Sequence, residues 1–330
     1  MTLFELTKEL INIPSVSGEE QKVADFLSDY LRNQGFGICE QTISGNRRNI
    51  LATAVQNPKV LFCTHMDTVP PFFSASEDEN FIYGRGACDT KGIIAAMIFA
   101  CQGLTETGTT EAGLLFVVGE ETDSVGAKTA NSLNVHSDYI IVGEPTENKL
   151  GTGHKGIVAL RLSSQGKSAH SAYPDQGESA IERLLDALQE IRAINFGEAE
   201  LGQSTLNIGT ITGGSAHNVI PHSASAEISV RNVTSSNTIL KKINETIDDS
   251  ITIEILTRSE PQKIHTIPEF EQTVVAFGTD IPHLKTFGKP LLIGPGSILV
   301  AHTPDERIEK SQLTEAVQIY QDLAQKLLTK

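Results

Sequence analysis

The sequence predicts an α/β sandwich interrupted by a smaller inserted α+β domain. Three observations carry this. In the first half of the chain, short apolar runs of strand length alternate with segments of helical period, the pattern of helices covering both faces of a sheet. From residue 153 to 262 the texture changes to half-exposed alternating strands and two amphipathic helices in the order β-α-β-β-α-β, a ferredoxin-like unit. From residue 263 to 330 the buried-strand and helix texture resumes. The predicted organisation is therefore one domain split into 1–152 and 263–330, with 153–262 inserted. A chain of 330 residues accommodates this at about 100–200 residues per domain.

The elements follow in order. Ser17 and Glu20 form the S-x-x-E pattern of a capping box, and Val23, Phe26, Leu27, Tyr30 and Leu31 follow at helical spacing until Gly35 ends the run. Residues 49–55 and 59–64 read as strands. Residues 90–104 are apolar nearly all round, which predicts a buried helix. Residues 114–118 and 139–142 read as short buried strands. In the inserted segment, 154–163, 205–211, 224–231 and 251–256 read as strands, and 180–194 and 240–247 as helices. A last amphipathic helix runs through Leu313, Ala316, Val317, Tyr320, Leu323 and Leu327.

Composition narrows the function. Lys and Arg total 26 against 41 Asp and Glu, a net charge of −15, so the chain lacks the basic footprint that nucleic-acid phosphates or anionic lipids demand. No nucleic-acid or membrane partner is expected, and no stretch approaches ~18 consecutive apolar residues. The opening residues MTLFELTKELINIPS show no leader pattern. Cys39, Cys63, Cys88 and Cys101 form no C-x-x-C pair, so a reducing, cytoplasmic location is expected. Gly84-Arg85-Gly86 lacks a glycine at Asp89 for a dinucleotide fingerprint, and Gly166-Lys167-Ser168 has Arg161 where a P-loop needs glycine.

The informative residues lie where predicted strands end. His65-Met66-Asp67 puts a histidine at a sheet edge with a carboxylate two residues on, able to accept its second ring N–H. Asp89, in GRGACDTKG, precedes the buried helix, where a plain N-cap is its bland role. Glu120 and Glu121 follow an apolar strand and face opposite ways on an extended chain, so one could bind metal while the other serves as a base. Glu144 follows the next apolar strand, and Gly294-Pro295-Gly296-Ser297 leads to Ala301-His302-Thr303-Pro304-Asp305-Glu306. Each taken alone also fits a surface turn or a solvated acidic loop. Together they put His, Asp, Glu, Glu and His after successive buried elements, as a site at the carboxyl edge of a parallel sheet requires. Zinc takes His nitrogen and carboxylate oxygen at ~2 Å, and two zincs ~3.5–4 Å apart would need a shared ligand, which a carboxylate with two oxygens can provide.

The set HMDTVP, GRGACDTKG, GEET, GEPT and AHTPDE resembles, in order and over nearly the whole chain, the acetylornithine deacetylase, succinyl-diaminopimelate desuccinylase and carboxypeptidase G family of di-zinc, metallopeptidase-like amidohydrolases. The resemblance implies a zinc-peptidase-like α/β/α catalytic domain with two zincs per subunit (cobalt or manganese as substitutes) and an inserted ferredoxin-like lid used for homodimerisation. It implies that His65 and Glu144 bind one zinc, Glu121 and His302 the other, and that Asp89 bridges both. Glu120 would be the general base toward a water held between the zincs, and Asp67 would orient His65. A cis peptide between Asp89 and Thr90 is expected. His170 would steady the oxyanion, typically across the dimer. Asn218, Arg231 and Gly296 would hold the substrate, Arg231 through its carboxylate.

The tail GPGSILVAHTPDE most resembles acetylornithine deacetylases. It points to removal of an acyl group, acetyl in the first instance, from a small L-amino acid such as N-acetylornithine or N-acetyllysine, in amino-acid biosynthesis. The alternatives are an exopeptidase on small peptides and a desuccinylase. A catalytically inactive binding or scaffold protein is a remote one, since every ligand and the base are present.

Overall fold

A six-stranded sheet organises the first of two units in the computed structural model, which describes residues 1–329. Across the sheet the strands are Gly37–Ser44, Arg47–Thr53, Ala112–Val117, Val60–His65, Tyr139–Val142 and Lys289–Leu292. The last four pair parallel, so their carboxyl ends share one edge. The first two join antiparallel. Val60–His65 and Ala112–Val117 are buried along their whole length, because helices cover both faces of a parallel sheet and leave no polar side. The two central strands therefore lack alternation and read as continuous apolar runs.

The helix Gly92–Glu106 is apolar all round because the core surrounds it: Ile93, Ile94, Met97 and Ile98 are fully buried. Its apolar run is long enough to pass as a membrane span by length and composition, yet it lies inside the protein. The C-terminal helix Lys310–Leu328 packs on it. Tyr320 of that helix meets Phe62 of the central strand edge-on at 5.5 Å, and its hydroxyl donates to the Ile293 carbonyl at 2.9 Å.

This unit comprises Met1–Thr152, Ile264–Thr273 and Thr279–Lys330; the other comprises Gly153–Lys263 and Val274–Gly278. In the second unit the strands Gly156–Gln165, Thr205–Gly213, Ser223–Asn232 and Ile251–Ser259 form an antiparallel sheet. The helices Ala180–Ala193 and Ser236–Thr246 interleave in the expected β-α-β-β-α-β order. Ser223–Asn232 alternates strictly between buried and half-buried residues. Ala224, Ala226, Ile228 and Val230 face a core shared with Leu184, Leu188, Ile239 and Ile243.

Some local expectations fail. Ser17 and Glu20 form no capping box: the helix Gln21–Asn33 has no side-chain cap, and both residues are engaged elsewhere. Ser17 Oγ donates to Asp67 at 2.7 Å, while Glu20 takes both Arg47 and the Gly18 N–H. The capping box that does form is Thr2 with Glu5, opening the helix Leu3–Asn12. That helix and the strand Gly37–Ser44 were not anticipated; the strand is exposed or half-exposed throughout and so carries little hydrophobic signal.

Phe62→Ala should destabilise the protein by about 3–5 kcal/mol, since it empties a closed site against Tyr320. Denaturant titration measures this, and a loss below about 1 kcal/mol would show that the core closes over the gap.

Candidate metal centre and catalytic site

The shared carboxyl edge of the parallel strands gathers the expected residues. Val60–His65 ends on His65, and Ala112–Val117 runs into Gly119-Glu120-Glu121. Tyr139–Val142 is followed by Glu144, and Lys289–Leu292 by the segment that reaches His302. Gly119 turns sharply at φ +78°, which lets the two glutamates fold back over the edge. Asp89 is not a helix cap. It lies in the turn Ala87–Lys91, with non-helical torsions and a cis bond to Thr90, ahead of the helix that starts at Gly92.

Asp89 is the centre of the cluster. Its Oδ1 lies 3.0 Å from His65 Nε2, and its Oδ2 lies 3.2 Å from His302 Nε2. His302 Nε2 is also 3.0 Å from Glu121 Oε1. One donor atom from each of His65, Asp89 and Glu121 falls within 4.8 Å of the others, a spacing that can hold a metal ion. His302 contributes from a backbone at φ +62°, uncommon for a residue with a side chain. Glu144 is buried where the charges of Glu120, His65 and Asp89 act on it.

Asp67 stands beside His65 and also does something the sequence did not suggest. The nearest acceptor to His65 Nδ1 is the Asp67 carbonyl at 3.0 Å, and the carboxylate Oδ1 stands at 3.5 Å. The carboxylate chiefly holds the next strand's loop. Its oxygens accept the N–H groups of Gly119 at 2.9 Å, Glu120 at 3.1 Å and Glu121 at 3.2 Å. It thus fixes the position of both glutamates.

The electrostatics follow from burial. Burial opposes charge on Asp67, but His65, Ser17 and the Glu121 N–H outweigh it and keep the carboxyl below its usual range. Asp89 is likewise held low, because His302 and His65 overcome its burial. Burial also opposes charge on His65, yet bonds to Asp67 and Asp89 raise it. His302, more open, is pushed up to about 10 by its bonds to Asp89 and Glu121. Glu120 and Glu144 go the other way: burial first, then neighbouring carboxylates, lifts both well above the carboxylate range.

One acidic neighbour escaped the sequence reading. Asp280 is buried at the edge of this charge cluster and is raised to about 6, mainly by burial, with the Ser124 hydroxyl opposing. It precedes the short helix Ile281–His283, so in sequence Thr-Asp-Ile-Pro looks only like a helix start. Gly296 is buried, turns at φ +92°, and packs so close to Cys88 that a Cβ would come within 2.7 Å. These constraints account for the glycine without any ligand.

The inserted unit brings His170 and Asn218 together but not Arg231. His170 bridges to Val219, and Ser171 N–H donates to the Asn218 carbonyl at 3.1 Å; both side chains are exposed. This lies beside the Ser223 end of its strand. Arg231 sits near the other end, paired with Ile157, about 27 Å away at ~3.4 Å per residue. On the same sheet face Arg161 is matched by Glu227 at 2.9 Å and Glu254 at 2.7 Å. The Arg231 guanidinium has no hydrogen bond or ion pair among the described residues. Burial lowers its basicity slightly. His154, buried where Arg231's charge reaches it, donates through Nδ1 to the Lys155 carbonyl at 3.0 Å and leaves Nε2 without a protein partner.

A buried Asp between two histidines, with a paired glutamate loop at the carboxyl edge of a parallel sheet, is the arrangement of a metal-dependent amide hydrolase. The sequence pattern of peptidase family M20/M25/M40 matches residues 61–326, and the chain belongs to that family. A Peptidase M20 domain-containing protein of Schizosaccharomyces pombe is 41% identical, covering 96% of this chain and 83% of that protein. A probable carboxypeptidase of Aspergillus niger is 37% identical over 96% of this chain and 87% of its own length. The solved structure of the aminopeptidase PepT from Bacillus cereus shares the fold, with a TM-score of 0.81 over 99% of this chain and 98% of that one at 18% identity. The protein is thus an M20-family metallohydrolase acting on amide bonds.

Metal removal should make stability depend on pH in one direction. Glu120 and Glu144, raised in the fold, favour folding at low pH and cost stability as the pH climbs above the usual carboxylate range. His302, raised to about 10, contributes below about 6.5 and loses that contribution as the pH rises toward 10. Asp67 and Asp89 stay ionised across this window. Chelator-stripped protein should therefore melt lower at pH 8 than at pH 5.5, and added zinc should raise the melting temperature more at pH 8. Equal melting temperatures for the stripped protein at both pH values would contradict this charge balance.

Proposed function

We propose that the protein is a di-zinc hydrolase that cleaves the amide joining an acyl group to a small L-amino acid with a free carboxylate. The observation that carries this is the position of Asp89, whose two oxygens face two different histidines. A carboxylate so placed suits a ligand shared by two metals. His65 and Glu144 would complete one site, and His302 and Glu121 the other. Both histidines offer Nε2, and His65 is fixed by the bond its Nδ1 makes. Bound zinc would supply Lewis acidity toward the amide carbonyl and toward water.

The remaining steps belong to this chain's residues. Glu120 accepts a proton from the attacking water at its carboxylate and passes it to the departing amine nitrogen as the amide C–N bond breaks. Burial and the neighbouring carboxylates raise its pKa, the direction that favours holding a proton once taken up. Asp67 keeps Glu120 in place through the Glu120 N–H. Arg231, a half-buried cation without a counter-charge among the described residues, binds the substrate carboxylate as a planar fork. His170 stabilises the oxyanion. Because His170 and Asn218 lie at the opposite end of their sheet from Arg231, one small substrate could use all three only if a second copy supplied the first two. That supports a homodimer through the inserted unit.

N-acetylornithine and N-acetyllysine are the first substrates to test, in keeping with the GPGSILVAHTPDE segment. A second reading, a carboxypeptidase or dipeptidase, is favoured by the carboxypeptidase name of the Aspergillus relative. Both readings break the same kind of bond and differ in whether the acyl group is a simple one such as acetyl or an aminoacyl or peptidyl group.

Three outcomes are expected. A panel of N-acetyl-ornithine, N-acetyl-lysine, N-succinyl-diaminopimelate and dipeptides should show hydrolysis of an acylated amino acid, and turnover of the dipeptides alone moves the assignment to the peptidase. Glu120→Ala should keep its zinc, measured by elemental analysis, while kcat falls by at least about 10²–10⁴-fold. Arg231→Met should raise KM chiefly for substrates with a free carboxylate; equal loss on their amide derivatives would remove Arg231 from that role.

A further inference from the structure

The AHTPDE segment has a role so far only for His302, yet it ends on Glu306, a carboxylate 1% exposed. The strand Arg307–Glu309 pairs antiparallel with Phe81–Tyr83, Arg307 opposite Tyr83, which sets Glu306 against the glycine turn that follows Tyr83. The Gly84 N–H donates to the Glu306 carbonyl at 3.1 Å. The carboxylate reaches into the turn. Its Oε1 accepts the Gly86 N–H at 2.9 Å and the Asp89 N–H at 3.4 Å, and the Cys88 thiol lies 3.8 Å away. Its Oε2 takes the guanidinium of Arg85. Arg85, 2% exposed, also donates to the Pro71 carbonyl at 3.2 Å and lies 5.0 Å over the Phe73 ring.

A buried ion pair alone is a weak reason to keep two charges in a core, since an apolar pair of similar volume often stabilises as well. Receiving the backbone is another matter. Asp89 and Thr90 have non-helical torsions, so the turn cannot satisfy its own N–H groups in a regular ladder, and a buried unpaired N–H is costly. The segment 302–306 thereby grips Asp89 twice: His302 meets its side chain and Glu306 meets its backbone.

We propose that Glu306 is a positioning residue for Asp89, holding the 86–89 turn so that the Asp89 carboxylate faces both histidines at once. This rests on the reading of Asp89 as a shared metal ligand. Partners behind a ligand typically change metal affinity by 10–100-fold when removed.

The test measures zinc affinity of the metal-stripped protein by competition with a chromophoric chelator, with circular dichroism reporting the fold. Glu306→Ala should weaken zinc binding 10–100-fold. Glu306→Gln keeps an acceptor for the Gly86 and Asp89 N–H groups and should recover most of that loss. Unchanged zinc affinity in folded Glu306→Ala, or a glutamine variant as weak as the alanine one, overturns the proposal. Should the alanine variant fail to fold, Glu306→Asp retains a charge for Arg85 while withdrawing from the Asp89 N–H. It should show the same loss, and wild-type affinity there equally overturns the proposal. His302→Ala separates the two levels of the argument. If it loses zinc while Glu306→Ala does not, the metal site stands and the role of Glu306 falls. If the unsubstituted protein binds no zinc, the reading of the site itself fails.

Discussion

The crowding of carboxylates at one buried sheet edge is the constraint to which the rest of this structure answers. Asp67, Asp89, Glu120, Glu121, Glu144 and Asp280 share a neighbourhood in which charges interact far more strongly than in water. Some of this charge is neutralised internally. Asp67 rests on three backbone N–H groups, and Asp89 on two histidines. Glu120 and Glu144 receive no comparable help, and their raised pKa values express the imbalance. A divalent cation is the natural counterweight, which is why the charge pattern and the metal-ligand geometry lead to one conclusion.

The scaffold makes that crowding tolerable by placing each acid on a rigid support. Four parallel strands bring these acids and histidines to one edge, and a largely buried helix lies behind them. Two carboxylates serve mainly to hold other residues: Asp67 fixes the Glu120–Glu121 loop, and Glu306 the Asp89 turn. A site whose supporting residues are locked by hydrogen bonds keeps the geometry that catalysis needs.

The inserted unit solves a different problem. Its sheet face carries one arginine fully matched by acids, Arg161, and one without an acidic partner among the described residues, Arg231. The matched one ties strands together; the unmatched one is the cation proposed to bind the substrate carboxylate. His170 and Asn218 sit on exposed loops at the far end of the same sheet. The unit is thus polarised along its strands, with its two sets of polar groups out of reach of each other within one chain.

Much of this was legible in the sequence. Continuous apolar runs marked the buried strands, because a strand covered on both faces has no polar side to show. The alternation of 224–231 marked the half-covered sheet of the insert. His65, Glu120, Glu121 and Glu144 stood out because each ends or closely follows such a run, Asp89 because it precedes the buried helix, and His302 as part of AHTPDE. Other features could not be read there. Ser17 and Glu20 looked like a helix cap but bind Asp67 and Arg47, because local pattern does not reveal which distant partner competes for a side chain. Asp280 lies well over a hundred residues from the acids it adjoins, and Glu306 as far from the turn it holds, and no spacing rule spans that distance. The sequence by itself determined which chemistry was available, through the kinds of side chain placed at strand ends. Only the tertiary structure decided how they meet: which oxygen of Asp89 faces which histidine, and which carboxylates hold backbone instead of facing the metal. Those choices depend on hydrogen-bond geometry that exists only once the strands have aligned.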